Sequence, residues 1–453
     1  MPHDQTQNFK SSRLLLRWAT GCAIGLTFFG ATARAMSWSE MKPKLETKLH
    51  LLPTHYFEDV GQGTSLTSTV IKLESEFSLR PSKAWRLRLS PWVYSDPVAP
   101  SPNEKLIVDA NEASLEFKDR DLSVKGGLNS IAWGVTDIFN PLDVVSARRY
   151  MDPLNSDKRG VPSLDINWDN GTYHFELIYI PVQLESIMPG EKSRWLPRDI
   201  TYSRQISGRT LILDQTFNYL YEEREELDDA LKNNVGLRFE RRGSGLDLTG
   251  IFFQGAPTAP YMSIAGIYGS GTSIREGQEG LLVQEITLKP IYYVRRTFGV
   301  GAVATFDTTI VRFAASNSDR ISAKSVLPGW SQSAIIGVEQ NLPVGESTLT
   351  LLLQATWAQH EEQADNTITS IDRIFDRSWL LGLRLPWGDW TYTAAFLYDA
   401  AYFGKFGQLK IDRKISDGLT ATLQCDLFEG PVGSPIGTYR RNDRVTLGAT
   451  FFF

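Results

Sequence analysis

The side chains best placed to do chemistry lie in one stretch of the chain. Gly127-Leu128-Asn129-Ser130-Ile131-Ala132-Trp133-Gly134 leads into Asn140-Pro141-Leu142-Asp143 and then Arg148-Arg149. Asp137, Asp143, Arg148 and Arg149 bring both signs of charge into that stretch, and Arg86, Arg88 and Glu116 lie upstream on alternating segments. Opposed charges facing each other across a narrow aqueous passage create a transverse field, which orients dipolar solutes and sorts ions. Covalent chemistry finds less material. His174 and Glu176 share a face at strand spacing, but no nucleophile stands at a defined distance from them. Gly-x-Ser-x-Gly, His-Glu-x-x-His and Walker sequences are missing, and Gly269-Ser270-Gly271 has no lysine to make a phosphate loop. His3, His50, His55 and His360 are scattered without ligand spacing, so neither metal nor cofactor is expected.

The elements that must carry these groups show a period of two. Val445, Leu447, Ala449, Phe451 and Phe453 oppose Arg444, Thr446, Gly448 and Thr450. Leu419 to Leu427, Leu349 to Trp357 and Trp379 to Trp387 alternate in the same way. Aromatics gather at the ends of the apolar faces (Trp357, Trp379, Trp387, Tyr398, Phe451, Phe453), while the opposite faces carry many charges. Working back from Phe453, tight reversals such as Ser416-Asp417-Gly418 and Asp169-Asn170-Gly171 alternate with long connections. One reversal is placed near Arg295 and Arg296, with residues 281–294 as a wall strand upstream of it. The pair of segments between Arg198 and Tyr221 is weakly patterned, and setting it aside leaves about eighteen strands (sixteen to twenty). Such a sheet must close, because an open edge in lipid strands backbone donors and acceptors. The expected fold is all-β: a closed antiparallel transmembrane β-barrel, wide enough for a watery lumen, with one long, partly helical loop. In that loop, 130–160, Asn140 would N-cap a helix with Pro141 at its first position. Val144 to Tyr150 would continue it, placing Arg148 and Arg149 near its favoured C-terminal end. Folded inward, the loop would form a constriction facing Arg86, Arg88 and Glu116; resting on the rim, its charges would be solvated.

Residues 1–35 read as a cleaved secretory signal peptide. Lys10, Arg13 and Arg17 precede an apolar run to Ala31, and Ala33-Arg34-Ala35 offers the small-x-small cleavage pattern. Residues 36–453 form a single domain. Gly448-Ala449-Thr450-Phe451-Phe452-Phe453 resembles the terminal strand of Gram-negative outer-membrane β-barrels, and the resemblance implies that Phe451 and Phe453 act as the barrel-assembly signal. The Trp-Gly strand end with its downstream Asn-Pro-x-Asp resembles uncharacterised porin-like proteins over residues 121–181 and, more loosely, alginate-export-type barrels. The resemblance implies an integral outer-membrane location and contact with membrane lipid and lipopolysaccharide. The barrel-assembly machinery and periplasmic chaperones would be partners during biogenesis. Passive diffusion of small hydrophilic solutes is the leading function and export or assembly of an exopolysaccharide or other polymer the alternative; no enzyme activity is expected. A homo-trimer and a monomer both fit. The acidic run Glu222 to Asp229 suits a solvated outer loop better than a divalent-cation site. The net charge of −5 and the lack of a basic block exclude nucleic-acid binding. Two cysteines exclude a disulfide framework, and 42% hydrophobic residues, ordinary for a soluble core, would here face lipid on every second position.

Overall fold

A computed structural model describes residues 43–61, 64–136, 138–197, 203–206, 209–222, 228–275, 278–321, 329–361 and 371–453. Residues 1–35, expected to be a leader, and Asp137 lie outside them. The strands in chain order are β1 (Lys44–Tyr56), β2 (Thr67–Leu79), β3 (Trp85–Ser95), β4 (Ile107–Asp119), β5 (Leu122–Asn129), β6 (Arg148–Arg149), β7 (Asp157–Lys158) and β8 (Val161–Asp169). They continue as β9 (Tyr173–Val182), β10 (Ser203–Ile206), β11 (Arg209–Tyr221), β12 (Lys232–Arg241), β13 (Leu246–Gly255), β14 (Tyr261–Arg275), β15 (Gln278–Ile291) and β16 (Arg295–Phe306). The last eight are β17 (Thr309–Arg320), β18 (Trp330–Val344), β19 (Ser347–His360), β20 (Ser378–Trp387), β21 (Trp390–Asp399), β22 (Gly404–Ser416), β23 (Leu419–Glu429) and β24 (Arg444–Phe452).

Eighteen of these form one antiparallel sheet that closes where β1 pairs with β24. Closure is what satisfies the backbone: every wall strand donates and accepts on both edges, so no polar edge faces lipid. The seam includes the last residue, since Phe453 and Thr47 exchange backbone hydrogen bonds of 3.0 and 3.2 Å. Alternation sorts the side chains. Leu447, Val300 and Ile336 point outward and leave more than half their surface uncovered (60, 56 and 53%), as membrane-facing residues must. Outward aromatics collect at both rims: Trp168, Phe306, Trp387 and Trp390 near the tight turns, Trp330, Trp357 and Trp379 near the long loops.

The strand number agrees with expectation, but two assignments behind it are corrected. The chain does not reverse at Arg295–Arg296; it runs straight through β16 and turns at Asp307–Thr308, where Asp307 takes a left-handed φ of 52°. Residues 281–294 are not in the wall. β15 forms a hairpin with β14 and pairs parallel with β11, making a separate four-stranded sheet with β10 on the loop side. One face of it buries Val283, Ile286 and Leu288 against Phe217 and Tyr219. The alternation in β15 therefore serves a small aqueous core instead of lipid.

The expected helix from Val144 to Tyr150 is also replaced. Asn140 Oδ1 accepts from the Leu142 amide at 3.1 Å, as a cap would, yet no helix follows. Val144, Val145 and Ala147 are buried in extended or irregular backbone, Arg148–Arg149 pair with Asp157–Lys158, and the ordered turn between them is the 3-10 segment Pro153–Asn155. Adjacent β-branched valines gain more from tertiary burial than a helix with few apolar contacts would return.

Candidate functional site

The loop 130–160 fills one side of the lumen. Trp133 and Leu142 are almost wholly buried, together with Ile131, Val144 and Val145, against inward-facing Ile178, Ile180, Ile251, Phe253, Ala314 and Ile335. At roughly 1.5–3 kcal/mol for each fully buried large apolar side chain, this anchor contributes on the order of 10 kcal/mol. Small wall residues make room for it. A Cβ on Gly236 would sit 2.5 Å from the Trp133 ring, and one on Gly299 would sit 2.5 Å from Leu142 Cδ2. The Trp133 indole donates to Glu176 at 3.0 Å, so the apolar anchor also meets the polar wall.

From this anchor a charged arm crosses to the opposite wall. Arg149, buried, donates to Asp109 at 2.9 Å, Asn111 at 2.8 Å and the Lys158 carbonyl at 2.6 Å, with its guanidinium 4.1 Å from the Trp92 ring centre. Arg159 meets the same Asp109 at 2.8 Å. Asp157 reaches Lys72 of β2 at 2.7 Å, and Asp152 reaches Arg444 of β24 at 2.8 Å; Arg444 also holds Asp426 at 2.6 Å. A second inward segment, 183–197, is zipped onto the arm by Tyr150 N to Ile187 O (2.7 Å) and Ile187 N to Arg148 O (2.9 Å). It ends in Arg194, which donates to the carbonyls of Ser65, Glu58 and Arg441 and to Asn442, and lies 3.5 Å from the Tyr56 ring centre. Burial pushes the Arg194 guanidinium down to about 10, so it remains protonated at neutral pH. Next to it, Trp195 packs against Phe428 and Tyr439.

The expected constriction set is thus divided. Asp143 bonds within the loop, to Arg148 at 2.5 Å and Lys158 at 2.8 Å, while Arg149 goes to the wall. Arg86 and Arg88 sit beside Glu116 (3.6 and 3.9 Å) on a wall ladder nearer the tight-turn end. Glu116 is seven residues from Asp109 along β4, or roughly 24 Å at strand rise, so these three do not face the arm. The residues the sequence reading missed are the arm's wall partners (Asp109, Asn111, Lys72, Arg444) and the segment holding Arg194 and Trp195. Inward-facing glycine at wall positions such as Gly236 and Gly299 marks the packing of Trp133 and Leu142 inside the barrel, and no local signal marks the arm's partners.

What remains open is a polar cavity of about 580 Å³ between the arm and the wall of β1, β2 and β22–β24. It runs from Lys48 and Phe452 at the tight-turn end to Ser65 and Arg194 at the loop end. Hydroxyls line much of it: Thr54 and Thr446 lie 2.8 Å apart, and Thr450 lies 3.0 Å from His50 Nδ1. Lys48, Lys410 and Asp412 add charge of both signs. Such a lining exchanges hydrogen bonds with a hydrated solute without holding it at one point.

No family model matches the chain, and no curated protein matches it in sequence. Solved structures do match. OccK2 (OpdF) of Pseudomonas aeruginosa aligns over 91% of this chain and 98% of its own, with a TM-score of 0.52 and 7% identity. Salmonella typhi OmpF, solved in complex with daunomycin, aligns over 92% and 100% at a TM-score of 0.44 and 9% identity. OmpT, an outer membrane protein of Vibrio cholerae, covers 93% and 100% at 0.43 and 9%. The likeness to OccK2 is one of fold and agrees with the closed sheet; with its apolar exterior, the chain is an eighteen-stranded transmembrane β-barrel of the outer-membrane type.

Proposed function

We propose that this barrel is a passive channel through which small hydrophilic solutes cross the outer membrane. The observation that carries the reading is the hydroxyl-rich cavity of about 580 Å³ left beside the inward loop. Its charges are of both signs, and the strongest are paired across it, Lys72 with Asp157 and Arg444 with Asp152. Selectivity would then come from the cavity's width, its hydroxyls and the charge of Lys48, since Lys410 and Asp412 pair with each other at 3.1 Å, with Asp143, Arg148 and Arg149 shaping the constriction by holding the loop. Export of a polymer is the second reading. It would need a wider path than the arm leaves, and so a displaced loop.

Planar-bilayer recording of the purified protein tests this directly. The channel reading expects discrete, ohmic single-channel steps and liposome swelling that falls with solute size. A folded, heat-modifiable barrel that gives neither would overturn it. Conductance appearing only in a variant freed of its loop would favour polymer export.

A further inference from the structure

A second cavity, of about 260 Å³, lies at the loop end of the barrel, outside the polar passage. Among the described residues, Trp195 is the one side chain bordering both. Prolines and methionines make up much of the wall: Met188, Pro189, Pro197, Pro257, Pro260 and Met262. The polar groups among them are largely spent. The Pro197 carbonyl accepts from the Tyr219 hydroxyl at 2.5 Å, and the Pro189 carbonyl accepts from the Tyr221 hydroxyl at 2.8 Å. Of the charged side chains bordering the cavity, His360 and Arg373 share Asp376 at 3.0 and 3.1 Å, and Asp319 accepts from Asn317 at 3.1 Å. Arg295 and Arg320 have partners of their own. The Tyr293 hydroxyl differs from these: it borders the cavity, and no described residue hydrogen-bonds to it.

We propose that this outer vestibule is a binding site for a small neutral aromatic molecule, a single ring bearing one hydroxyl. Apolar walls with a few convergent polar groups are the usual make-up of a small-molecule site. Size sets the scale of the ligand. An apolar cavity of about 150 Å³ takes up benzene, and drug-sized ligands fill about 300–1,000 Å³. At about 260 Å³ the vestibule lies between them and suits one substituted ring. The wall selects the character of that ring. Methionine sulfur is polarisable and makes favourable contacts with aromatic edges, which a saturated ring of equal size does not return. Charge is selected against, because a carboxylate would shed its water and meet no uncommitted cation. The Tyr293 hydroxyl then answers the hydroxyl of the ligand. The site captures a class of molecule that the hydroxyl-lined passage does not favour, and it stands whether or not the passage conducts.

The test reads binding alone. The full-length folded barrel in nanodiscs is titrated with para-fluorophenol, para-fluorocyclohexanol and para-fluorobenzoate and followed by fluorine NMR, with empty nanodiscs as the blank for partition into lipid. The phenol should bind saturably at one site, roughly fivefold more tightly than the cyclohexanol and roughly tenfold more tightly than the benzoate. Tyr293→Phe should weaken the phenol about fivefold, the worth of one hydrogen bond. Met188→Glu sets a carboxylate in the apolar wall and should weaken it about tenfold, so the proposal does not depend on one variant folding. Heat-modifiable migration confirms that each variant is folded. A signal no greater than that of empty nanodiscs would overturn the proposal, as would benzoate or cyclohexanol binding as tightly as the phenol. So would phenol affinity unchanged in both Tyr293→Phe and Met188→Glu.

Discussion

Removing Arg149 tests whether the charged arm is latched to the wall independently of its apolar anchor. The side chain is buried and donates to Asp109, Asn111 and the carbonyls of Lys158 and Ala110. Deleting one member of a buried ion pair usually costs about 3–5 kcal/mol, because the remaining charge is left uncompensated. Here Asp109 keeps Arg159 at 2.8 Å, which points to the lower end, about 3 kcal/mol. The apolar anchor contributes on the order of 10 kcal/mol and is untouched, so Arg149→Ala should free the arm without expelling the loop. A loss of about 3 kcal/mol raises the open fraction of the arm roughly 100-fold. Hydrogen exchange read by mass spectrometry on the nanodisc-embedded protein measures this population. Amides closing the arm, Arg159 to Ala147 O and Tyr150 to Ile187 O, should exchange roughly 100-fold faster. Wall amides of β9 and β13 should not change. Unchanged exchange across 148–159, or an equal rise throughout the barrel, would refute the reasoning.

Replacing Asp143 and Arg148 together with alanine should change single-channel conductance, because Asp143 ties Arg148 and Lys158 into the arm; unaltered conductance would separate these residues from the passage. Gly299→Leu places side-chain atoms where Leu142 sits, at an overpacking cost of about 1–3 kcal/mol. It should displace Leu142 and loosen the anchor without expelling the loop, so hydrogen exchange over 142–145 should rise with heat-modifiable migration retained. Arg194→Ala removes the donor that joins the carbonyls of Glu58, Ser65 and Arg441, so limited proteolysis should cut the outer loops faster while the barrel stays resistant. The Lys414 ammonium holds the exposed Asp417 carboxyl below its usual range. Its contribution is therefore present at neutral pH and lost as pH falls through that depressed value. Because the pair is fully solvated, Asp417→Asn should leave refolding yield unchanged at pH 7.

The wall was legible because it obeys a local rule. A strand with lipid on one side and water on the other repeats its chemistry every second residue, as β19, β20, β23 and β24 do, and each repeat can be read from neighbours alone. Turns were legible where their residues were special, as at Asn170-Gly171, where Gly171 has a φ of 90°. Asp307-Thr308 makes the same kind of reversal with neither glycine nor asparagine, and it passed unseen. The hairpin at 261–291 failed for the opposite reason. A sheet that buries one face on Phe217 and Tyr219 in water alternates just as a wall strand does. These two misreadings have opposite effects on the strand number, one removing a wall strand and the other adding one, which is why eighteen survived them.

The passage was not legible, because nothing in its geometry is local. Asp109 and Arg149 stand 40 positions apart, Arg194 and Asn442 stand 248 apart, and each pair meets only after the sheet has closed. The charge content of 127–149 was visible, and with it the expectation that this loop matters. Which charges would be spent holding the loop, and which would be left for solute, depended on where β2, β4 and β24 fall around the ring. In the folded barrel Asp143, Arg148, Arg149, Asp152 and Asp157 are all engaged in ion pairs that fix the arm. The transverse field expected from opposed charges is therefore largely collapsed into direct contacts. On the proposed channel reading, discrimination would then rest on the quieter lining of threonine hydroxyls with Lys48 and the Lys410–Asp412 pair. Neutralising Lys48 and Lys410 together should move ion selectivity more than neutralising Arg86 and Arg88, which lie outside the cavity; reversal potentials measured across a salt gradient decide between the two, and an equal shift from both pairs would return the selectivity to the wall ladder.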